Sequence, residues 1–274
     1  MTERLRISFI GGGNMATALI GGMLERGFAA ADIQVVDLSA ESCERLAARF
    51  GVRAVGTVDA ALLDCDVLVL AVKPQHMKAA LTPLAGRLGR QVVVSIAAGL
   101  RLADLSRWLG GYPRLVRAMP NTPALIGAGV SGLYADPTVD AGGRAAVERV
   151  LGAVGGTVWI AAEAQMDAVT AVSGSGPAYV FHFIEALEAA GTALGFEAQA
   201  ARRLAIETVL GAAKLAANSE EAPGVLRERV TSKGGTTEAA LASMAASGVF
   251  DAIVRAVKAA EARGRELGEQ LGKD

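Results

Sequence analysis

Six short apolar runs punctuate the first 160 residues: Ile7-Ser8-Phe9-Ile10, Ile33-Gln34-Val35-Val36, Val67 to Val72, Val92 to Ile96, Leu115-Val116-Arg117-Ala118 and Val158-Trp159-Ile160. Several are apolar without alternation, the pattern of parallel strands covered by helices on both faces. Helical stretches separate them, so residues 5 to about 160 predict a doubly wound α/β sheet. After about residue 164 the strand signal stops. Val180, Phe183, Ile184, Leu187 and Leu194 recur at helical spacing behind Pro177, a residue type suited to a helix's first turn. Further helices are expected at about 197–218, 236–246 and 249–271, the last carrying Phe250, Ile253, Val254 and Val257 on one face. Glu221-Ala222-Pro223-Gly224 reads as a turn that breaks the helical run. The expected plan is an α/β domain over 1–162 and an all-α domain over 163–274.

Composition narrows the possibilities. With 27 Lys+Arg against 28 Asp+Glu in 274 residues, the net charge of −1 offers nucleic acid no basic surface. A hydrophobic fraction of 52% supports a core and excludes intrinsic disorder. No run of about 20 residues lacks charge, Gly and Pro, and Met1-Thr2-Glu3-Arg4 carries no signal-peptide pattern, so a cytoplasmic address is expected. Cys43, Cys65, His76 and His182 are not at ligand spacing, and no metal site is expected.

The first strand runs into Gly11-Gly12-Gly13-Asn14-Met15-Ala16 and then a helical pattern, the Gly-x-Gly-x-x-Ala form of the dinucleotide fingerprint. Gly11 makes the tight turn, Gly13 lets a pyrophosphate approach the backbone, and Ala16 keeps helix and strand close. The helix N-terminus offers free N–H groups to the phosphates. Asp37 ends the second strand 21 positions beyond Ala16, near the spacing at which an acidic residue holds the adenosine ribose hydroxyls. That favours NADH over NADPH; a turn aspartate capping the next helix is the alternative.

Two other motifs fail. Val172-Ser173-Gly174-Ser175-Gly176 lacks the Gly that a Gly-x-Ser-x-Gly elbow needs at 173. Ser232-Lys233-Gly234-Gly235-Thr236-Thr237 lacks the P-loop order and a preceding strand. Three junctions at carboxyl ends of strands remain: Ala71-Val72-Lys73-Pro74, Ser95-Ile96-Ala97-Ala98-Gly99 and Met119-Pro120-Asn121-Thr122-Pro123. Open α/β sheets bind ligands there.

With these motifs, and with Val172 to Phe181 and Gly234-Gly235-Thr236-Thr237, nearly the whole chain resembles the Δ1-pyrroline-5-carboxylate reductases, which form proline in the last step of its biosynthesis. The resemblance implies an N-terminal Rossmann domain and a helical C-terminal domain that interlocks with its partner's in a homodimer, often assembled into rings. It implies NADPH as cofactor, with NADH admitted by Asp37, held by residues 11–16, Asp37, Ser39, Ala71, Val72, Lys73, Pro74, Ala97, Asn121 and Thr122. The nicotinamide would lie between the domains. The substrate carboxylate would be bound by Ser232, Gly234, Gly235, Thr236 and Thr237, with Glu163 near the substrate and the Thr237 hydroxyl on the imine nitrogen.

Without the family, Gly234-Gly235 still reads as a turn exposing N–H donors ahead of a helix starting near Thr236. The alternative is a glycine turn with Thr236 as N-cap. Many relatives have proline where this chain has Lys233, and those preferring NADPH commonly have small polar residues where Asp37 stands. Two rivals are a β-hydroxyacid-dehydrogenase-like oxidoreductase and a non-catalytic NAD(P)-sensing regulator. The first wants a lysine early in the central helix, which Pro177 to Glu185 lacks; the second has no use for the hydroxyl-and-glycine loop.

Overall fold

The apolar runs are strands of one sheet in the computed structural model, which describes residues 4–272. The strands are β1 (Ile7–Ile10), β2 (Ile33–Val36), β3 (Arg53–Val55), β4 (Val67–Leu70), β5 (Val92–Ser95), β6 (Leu115–Met119), β7 (Gly129–Ala135) and β8 (Gly155–Trp159), in the order 3-2-1-4-5-6-7-8. The helices are α1 (Asn14–Glu25), α2 (Ala40–Phe50), α3 (Ala60–Leu63), α4 (Pro74–Leu81), α5 (Leu102–Trp108), α6 (Ala141–Leu151), α7 (Met166–Val169), α8 (Gly176–Ala193), α9 (Ala198–Ala217), α10 (Pro223–Arg229), α11 (Thr236–Ala246) and α12 (Val249–Leu271).

All four residues of β1 and of β4 are buried. Ile7, Phe9, Val67 and Val69 feed one core with α1, while Ile10, Leu68 and Leu70 feed a second with α4 and α5. Successive residues of a strand face opposite ways, so a sheet covered on both faces needs apolar residues at every position. The expected doubly wound sheet is therefore present.

Two strands went unread. β3 has only three residues, and β7 reads Gly-Val-Ser-Gly-Leu-Tyr-Ala, with none of the β-branched density that marks the others. β7 pairs antiparallel with β6, and β8 pairs parallel with β7, so the run at Val158 belongs to a reversed edge rather than to the parallel set. Gly132 of β7 cannot carry a side chain without disturbing α7, because a Cβ there would lie 2.4 Å from Val169 Cγ1.

The chain divides into two compact units, one running to Ser175 and resuming at Ala260, the other Gly176–Ala259. The expected break after residue 162 is thus not where compactness changes. Residues 163–175 pack on the sheet, and the end of α12 returns to it: a Cβ on Gly268 would sit 2.8 Å from the Gly99 carbonyl oxygen, and Arg107 Nη2 donates to the Gly272 carbonyl at 2.9 Å.

In the helical unit α8 and α9 pack as a pair, with Gly191 allowing Ala201 close approach. The turn expected at 221–224 instead opens α10, with Pro223 in the first helical position. Phe183, Phe250 and Ile253, expected on apolar faces, are exposed in the single chain at 46%, 75% and 54%. Among the described residues no single helix is long and apolar enough to cross a membrane; the bent pair α11 and α12 meets the length and composition test, though α12 carries charges from Asp251 to Glu269.

Candidate active site

The glycine loop is held before any ligand arrives. Gly11 takes φ +100, its amide donates to the Val36 carbonyl at 2.7 Å, and the Ala71 amide donates to the Ile10 carbonyl at 2.7 Å. A Cβ on Gly11 would lie 2.6 Å from the Ala71 carbonyl oxygen, and one on Gly12 would lie 2.6 Å from Leu46 Cδ1. Those two glycines serve the protein's own packing. A Cβ on Gly13 would meet nothing within 4 Å, so this residue borders open space. Gly13 is the N-cap of α1 and no side chain caps that helix. Its first amides stay free for an anion, and Ala16 is fully buried against the sheet. The open space at Gly13 and the uncapped start of α1 are the two features a pyrophosphate would need here.

Asp37 has both oxygens engaged: Oδ2 accepts from the Gly12 amide at 2.6 Å and Oδ1 from the Ser39 amide at 2.9 Å. It does not cap α2. Ser39 does, its Oγ accepting from the Ser42 amide at 3.2 Å, which overturns the capping alternative for Asp37 and gives the Ser39 hydroxyl a helix-end role. Between them Leu38 stands 95% exposed, an apolar surface beside the position a ribose would take.

Two residues at this loop escaped the sequence reading. Ser42 Oγ donates to the Gly12 carbonyl at 3.2 Å, and Arg45 Nη2 donates to that same carbonyl at 3.0 Å and to Ser42 Oγ at 3.1 Å. Arg45 Nη1 also reaches Thr17 Oγ1 at 3.3 Å. The available signal was helical spacing: Ser42, Arg45 and Leu46 share the face of α2 that meets the loop.

The other junctions offer mainly backbone. Lys73 is the N-cap of α4, with Pro74 in its first turn; Ala71 and Val72 are half-buried, and the Ala97 methyl lies in the core. Thr122 is exposed. Asn121 is buried, and its amide is used within the protein: Nδ2 donates to the Ser173 carbonyl at 3.2 Å and Oδ1 accepts from the Val130 amide at 2.9 Å. The Ser173 carbonyl belongs to a π-helical turn, Thr170–Gly174, a rare geometry that leaves backbone groups to be satisfied from outside. Asn121 is a brace, not a free polar group.

Glu163 Oε1 accepts from Arg117 Nη1 at 2.9 Å and from the Leu102 amide at 2.8 Å. Glu163 also lines a cavity of about 350 Å³ with Arg101, Arg117, Asp167, Glu261 and Arg265, so its carboxylate borders open polar space.

In the helical unit, Gly234 takes φ +73 and the turn closes through the Gly235 amide, which donates to the Ser232 carbonyl at 3.0 Å. The Gly234 amide donates to Glu238 Oε2 at 2.6 Å. The expected nest of free glycine amides is therefore occupied from within. Glu238 is the third residue of α11 and reaches back as in a capping box. A carboxylate bound at Gly234 must displace Glu238. The N-cap of α11 is Gly235, without a side-chain cap, so Thr236 and Thr237 are the helix's first two residues and the Thr236 capping alternative fails. Their amides are free by position. No hydrogen bond engages the hydroxyl of Ser232, Thr236 or Thr237 among the described residues.

Comparison with known proteins decides the family. Residues 163–267 match the family model described as pyrroline-5-carboxylate reductase dimerisation, and residues 6–99 match NADP oxidoreductase, coenzyme F420-dependent. The chain is 50% identical over 270 residues to the pyrroline-5-carboxylate reductase of Pseudomonas aeruginosa, covering 98% of each. It belongs to the pyrroline-5-carboxylate reductase family. The pyrroline-5-carboxylate reductase structure from Coxiella burnetii superposes with a TM-score of 0.93 at 38% identity, covering 97% of this chain and 99% of that one. The Plasmodium falciparum pyrroline carboxylate reductase, solved with NADP bound, gives 0.84 at 27% identity over 98% and 100% of the two chains. The family match reaches both units: the glycine loop lies in the first and the Ser232 to Thr237 loop in the second.

Proposed function

We propose that this chain reduces the C=N bond of 1-pyrroline-5-carboxylate to give L-proline, taking hydride from a reduced nicotinamide dinucleotide. The observation that carries the reading is the pairing, in one family-length chain, of an uncapped glycine loop open at Gly13 with an uncapped helix start bearing free hydroxyls at Thr236 and Thr237.

The bound dinucleotide supplies hydride from C4 of its nicotinamide; the chain's residues bind, orient and manage charge. Free amides at Gly13 to Met15 take the pyrophosphate, and Asp37 addresses the adenosine ribose. The amides of Thr236 and Thr237, with the Ser232 and Thr236 hydroxyls, take the substrate carboxylate, and Glu238 withdraws from Gly234 as it arrives. Thr237 Oγ1 accepts the N–H of the protonated imine and can donate to the lone pair that this nitrogen gains when hydride reaches C5. Holding reactants in line in this way is most of what such a reaction asks of a protein. It explains a site with no essential His or Cys.

NADPH is the proposed cofactor, with NADH also accepted; the NADP-bound relative supports the first and Asp37 the second. The helical unit forms a homodimer through its exposed Phe183, Phe250 and Ile253, and rings of dimers are the proposed higher assembly. The buried free thiols of Cys43 and Cys65 fit a cytoplasmic enzyme. The test is oxidation of NADPH and NADH by the purified protein with and without pyrroline-5-carboxylate. Substrate-dependent oxidation with proline as product is expected; oxidation that ignores the substrate contradicts the reading.

A further inference from the structure

Arg45 is a cation held by neutral partners. Its guanidinium donates to the Gly12 carbonyl, Ser42 Oγ and Thr17 Oγ1, and among the described residues no carboxylate lies within ion-pair distance of it. It is exposed, so it is not locked in that position. Asp37 grips the amide of the same Gly12 from the other side. Gly12 thus has an anion on its N–H and a cation on its C=O.

We propose that Arg45 receives the adenosine 2′-phosphate and so sets how far this chain accepts NADPH. The inference rests on the dinucleotide reading of the glycine loop. Asp37 stands where an acidic residue addresses the ribose 2′ position, and a phosphate placed there meets a like charge that costs affinity. A guanidinium on the neighbouring backbone group offsets that repulsion and offers paired N–H donors matched to phosphate oxygens. Ser42 Oγ and Thr17 Oγ1, which themselves donate to the Gly12 and Gly13 carbonyls, accept from Arg45 and hold its guanidinium at this spot. The chain thereby combines an NADH-type aspartate with a phosphate-seeking arginine from α2. A competing role for Arg45 is to fix the Gly12 peptide, or to touch the pyrophosphate, and either would serve both cofactors alike.

Equilibrium titration of the full chain separates these roles, following nicotinamide fluorescence with NADPH and NADH and using 2′,5′-ADP and ADP as competing probes. Arg45→Gln is expected to weaken NADPH and 2′,5′-ADP by about tenfold or more and to leave NADH and ADP within about twofold. Arg45→Lys should recover part of the loss. Retained NADH binding shows in the same experiment that the variant is folded. Equal weakening of both pairs, or no change in either, overturns the assignment. Failure of the unmodified chain to bind either dinucleotide would refute the loop reading itself.

Discussion

Arg117 Nη1 and Glu163 Oε1 meet at 2.9 Å with the arginine side chain only 6% exposed. The same carboxylate oxygen accepts the Leu102 amide, so Glu163 joins β6 to the start of α5. Glu163→Gln would leave a buried guanidinium without its counter-charge. We expect a loss of about 3 kcal/mol in stability, measured by urea unfolding, because breaking one side of a buried pair leaves the other uncompensated. Unchanged stability with a raised KM would show instead that the Glu163 charge serves the substrate.

Asp37 tests the cofactor preference from the opposite side to Arg45. Like charges about 4 Å apart repel by about 1 kcal/mol in water and more when partly desolvated. Asp37→Ser is expected to tighten NADPH by about tenfold relative to NADH in fluorescence titration. An unchanged ratio would mean that the Gly12 and Ser39 amides, its present partners, absorb the whole of its role.

Thr237 carries the proposed contact to the reacting nitrogen. Since Gly235 is the N-cap of α11 and the Thr237 hydroxyl has no partner among the described residues, Thr237→Ala removes no cap. We expect kcat to fall by about 10²–10³, the cost of one preorganised transition-state hydrogen bond, with the melting temperature and cofactor affinity kept. Thr237→Ser should retain much of the rate. Normal turnover in the alanine variant would remove this residue from the mechanism.

Much of this was legible in the sequence, and the parts that were not share a cause. The strands with dense apolar runs, the helices at 198–217, 236–246 and 249–271, and the glycine loop could be read because each is a local pattern. β7 could not, because its glycines answer to packing neighbours, Gly129 to Ala124 and Gly132 to Val169 on a later helix, rather than to strand propensity. The return of α12 to the sheet through Gly268 is likewise a tertiary contact. At the site, Arg45 and Ser42 matter through the carbonyl of Gly12, thirty or more positions earlier in the chain. Glu238 was closer at hand: a glutamate three residues into a helix behind a glycine turn is a capping signal. The occupied Gly234 amide follows from it.

The apolar surface of the helical unit should be covered by a second copy. Phe183, Leu241, Met244, Phe250 and Ile253 line a groove of about 660 Å³ there. Burying such area is worth about 25 cal/mol per Å² at most, and a single chain leaves it in water. Sedimentation analysis at micromolar concentration should give a dimer or a multiple of it, and Phe250→Asp with Ile253→Asp should shift it toward monomer. A monomeric unmodified chain would refute this interface.

The central claim is hydride transfer to the imine carbon, and its direct measurement is the fate of a label. With NADPH carrying deuterium in the transferred position at C4 of the nicotinamide, turnover of pyrroline-5-carboxylate should yield proline with one deuterium at C5, read by mass spectrometry and NMR. Unlabelled proline, or no proline despite dinucleotide binding, would contradict the account.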